Sequence, residues 1–118
     1  MNAKQALGRQ GEQLAAEHLE RSGLRILDRN WRCPEGEIDI VAADRGVLVV
    51  CEVKTRSDTR YGSPLEAISP RKHSRLRRLA VRWVVANGVI FEEIRIDVVS
   101  VLRSAPGEFA IDHVRGVG

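Results

Sequence analysis

Val47-Leu48-Val49-Val50-Cys51-Glu52-Val53 is the segment that most restricts how this chain folds. Six of the seven residues are apolar and most are β-branched, so the run reads as a strand that must be covered on both faces. Such a strand lies at the centre of a sheet with material packed above and below it. Just before it, Glu37 to Ala43 forms another strand-like run, and Asp44-Arg45-Gly46 makes the short connection of a β-hairpin.

The flanking segments supply the covering layers. From Lys4 to Ser22, Leu7, Gly11, Leu14, Ala15 and His18 recur at helical spacing with Arg9, Gln13, Glu17 and Glu20 opposite, and Gly23 is a stop signal. Leu24 to Trp31 then reads as a first strand, broken by Cys33-Pro34-Glu35-Gly36. After a polar stretch from Arg56 to Ser63, Ser69 is an N-cap, Pro70 a first helical residue and Asn87-Gly88 a helix end. In this second helix Leu76, Leu79, Ala80 and Trp83 form an apolar stripe, and Arg71, Arg75, Arg78 and Arg82 a separate basic one. Ile94 to Leu102 is another strand and Phe109 to Val114 a short final one. The order α-β-β-β-α-β-(β) predicts an α/β sheet sandwiched by helices.

With 118 residues, the chain is sized for a single domain, residues 1–118. It has no signal-peptide or membrane-spanning apolar run, so a soluble cytoplasmic protein without membrane association is expected. Cys33 and Cys51 lack zinc-site or Cys-x-x-Cys spacing and read as reduced structural thiols. The net charge is only +3, but residues 54–82 carry nine Lys/Arg against Asp58 and Glu66, a local +7 that leaves −4 for the remainder. That segregation suits a polyanionic partner; its plainer explanation is a solvated face.

Within the apolar strand, Glu52 and Lys54 share one face. A two-residue hairpin loop at Arg45-Gly46 pairs Asp44 with Val47 and sets Asp39 opposite Glu52; a four-residue loop keeps both on one face, and an unbulged three-residue loop separates them. Two carboxylates at the end of an apolar sheet repel one another unless a cation neutralises them. Mg²⁺ suits so sparse an oxygen set, with the Val53 backbone carbonyl as a further ligand. Glu12 lies at the margin of the first helix's apolar stripe, one turn beyond Gly8; it is either an ordinary boundary carboxylate or the residue that completes the acidic group. A structural ion-pair cluster in the sheet is the competing explanation for Asp39, Glu52 and Lys54.

Gly36-Glu37-Ile38-Asp39 followed by Cys51-Glu52-Val53-Lys54-Thr55-Arg56 resembles the PD-(D/E)XK nuclease superfamily. More closely, the chain is similar to the uncharacterised bacterial YraN family, which is related to archaeal Holliday junction resolvases. The likeness extends through Gly8-x-x-Gly11-Glu12, Tyr61-Gly62-x-Pro64 with Glu66-Ala67, Lys72, and Arg95-Ile96-Asp97-Val98-Val99. Ile38 stands where the superfamily pattern has proline, as is common in this branch. The resemblance implies a restriction-endonuclease-like α-β-β-β-α-β core with a mixed sheet. It also implies a Mg²⁺ or Mn²⁺ ion on Asp39 and Glu52, Lys54 acting on water and on transition-state charge, and Glu12 assisting. The reaction so implied is metal-assisted phosphodiester hydrolysis leaving 5′-phosphate and 3′-hydroxyl ends.

Lys72 falls in phase with Leu76, Leu79 and Trp83 rather than with the arginines, so it reaches either toward the site or along the core edge. The family match favours a phosphate contact. Arg56, Arg60 and Tyr61 are candidates to touch phosphates or stack on a base, beside the arginine stripe. Arg95 and Asp97 share a strand face and read as a structural ion pair, while His18, His73 and His113 show no ligand spacing. The leading expectation is a structure-selective or nonspecific DNA endonuclease acting on branched or single-stranded substrates, with a homodimer as the simplest way to cut two strands. Its rivals are a nucleic-acid binding module with the same fold and little turnover, and a protein-interaction domain.

Overall fold

The computed structural model describes residues 1–57 and 68–117. Its elements run α1 (Ala3–Arg21), β1 (Arg25–Cys33), β2 (Gly36–Asp44), β3 (Val47–Arg56), α2 (Pro70–Asn87), β4 (Glu93–Ala105) and β5 (Glu108–Val114). The five strands form one mixed sheet in the order β1-β2-β3-β4-β5, antiparallel except for the parallel pair β3–β4. The α-β-β-β-α-β order expected from the sequence is therefore present, and the final strand joins the edge of the sheet. The apolar β3 sits at the centre, as its composition demands.

Alternation along β3 divides the core into two layers. Val49 and Cys51 pack with Ala15, Ala16 and Leu19 of α1, whereas Leu48 and Val50 pack with Leu76, Leu79, Ala80 and Trp83 of α2. The apolar stripe of α2 is the one its spacing predicts. On α1 the buried residues are Gly11, Ala15, Ala16 and Leu19, so the contact stripe is rotated from the expected one, and Leu7, Leu14 and His18 lie at its border. Small residues govern the contact: a Cβ on Gly11 would land inside the Thr55 side chain of β3. Burial pushes the Cys51 thiol well above its ordinary pKa, and both cysteines are free.

Caps and turns fix the ends of the elements. Asn2 caps α1 through a reciprocal pair of bonds with Gln5, and Ser69 caps α2 by accepting from the Lys72 amide at 3.1 Å. Gly88 ends α2 at φ 61°. The β1–β2 turn is tighter than the sequence suggests, because Cys33 still pairs with Gly36. The β2–β3 loop has two residues, Arg45 at φ 50° and Gly46 at φ 85°, the double positive φ of a twisted hairpin turn, and Asp44 pairs with Val47. Trp83 Nε1 donates to Asp28 at 2.9 Å, tying α2 to β1. No helix among the described residues is long and apolar enough to cross a membrane.

Candidate active site

The two-residue loop sets the β2–β3 register so that Asp39 and Glu52 fall one step beyond Ile40↔Cys51, where regular pairing stops. At that step β2 changes character. Ile38 and Ile40 should share a face, yet Ile38 packs with the α2 layer and Ile40 with the α1 layer, so the alternation slips at Asp39. In β1 the residue between the pairs Arg29↔Ile40 and Trp31↔Ile38 is Asn30, at φ 52°, a conformation asparagine tolerates better than most side chains. The expected direct pairing of Asp39 with Glu52 is thus replaced by a parting of strands. Into that gap Asp39 turns its carboxylate, and Oδ2 accepts the Val53 backbone N–H at 2.8 Å.

This position is costly for a charged group. Burial, and then the neighbouring carboxylates Glu52, Glu12 and Glu37, raise the Asp39 pKa to about 7 against the opposing effect of the Val53 hydrogen bond. Glu12 is also raised, by burial first and by Glu37 second, with a hydrogen bond from Asn30 partly offsetting both. Glu12, Glu37 and Asp39 line one open cavity of about 870 Å³ between α1 and the β1–β2 hairpin. Gly11, pressed onto Thr55, fixes how closely α1 carries Glu12 to this cavity.

Glu52 lies on the α2 side of β3. Its Oε1 is 2.6 Å from Lys72 Nζ, in a half-buried ion pair between β3 and the first turn of α2. Lys54 follows on the same strand face, and its pKa is lowered by burial and then by the nearby Lys72 ammonium. Sequence reasoning brought Glu12, Asp39, Glu52, Lys54 and Lys72 to one region, and they are neighbours there, although Lys72 meets a carboxylate. It missed Glu37 and Asn30. Glu37 shows only as a second acid two residues before Asp39, and nothing local marks Asn30 beyond its tolerance of positive φ.

Among the described residues no three His, Cys, Asp or Glu side chains converge tightly enough to cage an ion. The donors at the parting are instead the half-buried Asp39 carboxylate, the Glu52 carboxylate and the Val53 peptide. They fit a hard divalent cation, which takes one or two protein carboxylates and keeps its waters. Arg56 ends β3, half-buried, and its Nε has no hydrogen-bond partner among the described residues. Arg71, Arg75, Arg78 and Arg82 are exposed along α2, with Arg82 paired to Glu35. Arg60 and Tyr61 lie outside the described residues.

A second polar cluster gathers around Asp97 of β4, on the α1 face of the sheet. Asp97 is fully buried and accepts from Arg95 Nε at 2.8 Å and Nη2 at 3.0 Å, and from the Gly116 amide at 2.9 Å, with His113 Nε2 at 2.7 Å. Arg95 also donates to Asp44 at 3.0 Å. The Arg95–Asp97 ion pair expected from strand parity is present, and it anchors the segment after β5.

A family model described as "Uncharacterised protein family UPF0102" matches residues 11–101. Similar proteins include a UPF0102 protein of a Nocardioides species, 58% identical over 98% of this chain and 93% of that protein. Another, from Beutenbergia cavernae, is 51% identical over the whole of both chains. A third, from Frankia casuarinae, is 53% identical over 98% of each. Together with the motifs at Glu12, Asp39 and Glu52-Val53-Lys54, these matches establish that the chain belongs to UPF0102, the YraN family that its sequence resembles.

Proposed function

We propose that this chain is a metal-dependent phosphodiesterase acting on DNA, a structure-selective or nonspecific endonuclease. The observation that carries the proposal is the Asp39 carboxylate lodged where β2 and β3 part, with Glu12, Glu37 and Glu52 close enough to raise its pKa. Half-buried carboxylates gathered at one end of a sheet repel one another unless a cation neutralises them. Asp39, Glu52 and the Val53 carbonyl are the groups that would hold Mg²⁺ or Mn²⁺, which when bound supplies Lewis acidity and neutralises phosphoryl charge. Lys54 presents an ammonium on the Glu52 face, where it stabilises charge gained by the phosphate on the way to the transition state. Glu12, at the cavity wall, accepts a proton from water or orients it. Arg56, Lys72 and the α2 arginines are the candidate phosphate contacts, and a homodimer would let two such sites cut two strands.

One observation favours a second reading, a nucleic-acid binding module with little turnover. The Lys72 ammonium already satisfies Glu52, as a fixed cation would in a protein that dispenses with the metal. Labelled branched, nicked, duplex and single-stranded DNAs incubated with Mg²⁺ or Mn²⁺ separate the two. Ion-dependent cleavage that disappears in Asp39→Asn and Lys54→Ala supports the nuclease. Binding without cleavage of any substrate by the parent protein moves the assignment to the binding module.

A further inference from the structure

The cavity beside Asp39 has a second wall that the acidic motif does not involve. Residues 5, 9, 12 and 13 lie on one face of α1, and this face carries Gln5, Arg9 and Gln13 along with Glu12. Opposite it, the edge strand β1 contributes Arg29, Asn30 and Arg32. Arg29 Nη1 reaches across to Gln13 Oε1 at 2.8 Å, so a guanidinium spans the groove on a neutral partner. Arg32 meets Glu37 at 3.6 Å with its side chain 78% exposed, a contact too loose and wet to withhold the charge from an anion.

We propose that this α1–β1 groove binds the sugar-phosphate backbone of one nucleic-acid strand, with Arg9, Arg29 and Arg32 as its phosphate contacts. Three guanidiniums line the open groove beside Glu12, Glu37 and Asp39, and the side-chain amides of Gln5 and Asn30 are neutral donors of the kind that complete phosphate contacts. No aromatic side chain lines the groove among the described residues, so it offers no stacking platform for bases. Recognition there is indifferent to sequence and directed at the backbone. The inference deepens the nuclease reading, since the groove opens on Asp39, yet it names contacts on the face away from the α2 arginines.

Fluorescence anisotropy with a labelled single-stranded oligonucleotide tests it, in an Asp39→Asn background without divalent ion so that nothing is cut. Arg9→Gln, Arg29→Gln and Arg32→Gln should each weaken binding about 3- to 10-fold, equally for unrelated sequences. Each should also lower the slope of log affinity against log salt by about 0.7. Arg29→Lys, which keeps the charge, should retain most of the affinity and guards against a fold defect in Arg29→Gln. Unchanged affinity and slope in all three glutamine variants overturns the proposal, as does loss confined to Arg75→Gln and Arg78→Gln on α2. The two readings fail separately. A parent protein that cleaves DNA while the groove variants bind normally refutes the groove alone, and groove-dependent binding without cleavage by the parent refutes only the nuclease.

Discussion

Lys72 places its ammonium 2.6 Å from Glu52 Oε1, so the first turn of α2 delivers a positive charge to the acidic end of β3. A divalent ion at the proposed site would compete with that charge. Replacing Lys72 by Met should destabilise the ion-free protein by about 1–3 kcal/mol, since the side chains are 27% and 16% exposed and the pair is intermediate between surface and core. It should also tighten Mg²⁺ binding severalfold. Urea melts and calorimetry read the two effects, and Glu52→Gln combined with Lys72→Met should be less destabilised than the sum of the single variants. Weaker Mg²⁺ binding in Lys72→Met would show that the lysine assists the ion instead.

Asp39 has a pKa of about 7 in the folded protein against 3.8 for the free side chain. Between those values the folded state holds the extra proton, so stability falls as pH rises toward 7 and stays low above it. Asp39→Asn keeps an oxygen able to accept the Val53 N–H and removes the charge. It should raise ion-free stability by about 1–3 kcal/mol at pH 8 and by almost nothing near pH 4. Mg²⁺ should stabilise the parent at pH 8 and leave Asp39→Asn nearly unaffected. A variant less stable than the parent at pH 8 would show that the carboxylate is compensated in solution.

The contact between Gly11 and Thr55 makes a steric prediction. Gly11→Ala forces a methyl group into the Thr55 side chain and should destabilise the protein by about 1–3 kcal/mol, although alanine favours the helix. Adding Thr55→Gly should recover a good part of that loss. If Gly11→Ala melts with the parent, α1 has room to move away and does not fix the height of Glu12.

Asp97 should behave oppositely to Asp39. Burial opposes its charge, but hydrogen bonds from His113, Arg95 and the Gly116 amide more than offset it and hold the pKa below 3.8. Its contribution is complete above that value and is lost as pH falls through the folded pKa. Asp97→Asn should cost about 3–5 kcal/mol at pH 7, because it leaves the Arg95 guanidinium without its two-pronged partner. The difference from the parent should narrow in acid, as thermal melts between pH 2.5 and 7 would record.

The fold was legible where local chemistry and tertiary demand agree. Ser69-Pro70 and Asn87-Gly88 punctuate α2, and the apolar run at Val47–Val53 permits little except a central strand. On α1 the expected stripe held Gly11 and Ala15 but left out Ala16 and Leu19 in favour of Leu7, Leu14 and His18, because a contact built on small residues follows close helix–sheet approach more than hydrophobic spacing. Strand parity put Glu52 and Lys54 on one face, and hairpin arithmetic brought Asp39 to the same step. It could not foresee that the strands part there, since the slip depends on Asn30 and on Ile38 and Ile40 seeking opposite layers. Lys72 was placed near the site by its helical phase, but its partner is set by how α2 lies across the sheet.

The order of strands across the sheet follows their order in the chain, with consequences for the route by which the molecule folds. β1, β2 and β3 are joined by tight turns and form by short-range closure, whereas β4 must wait for the longer excursion through α2. A meander that closes first brings Asp39 and Glu52 together before Lys72 arrives to relieve them. Early assembly works against carboxylate repulsion, so lowering the pH from 8 to 6 should accelerate refolding more than it slows unfolding. In stopped-flow experiments that asymmetry should be absent from Asp39→Asn.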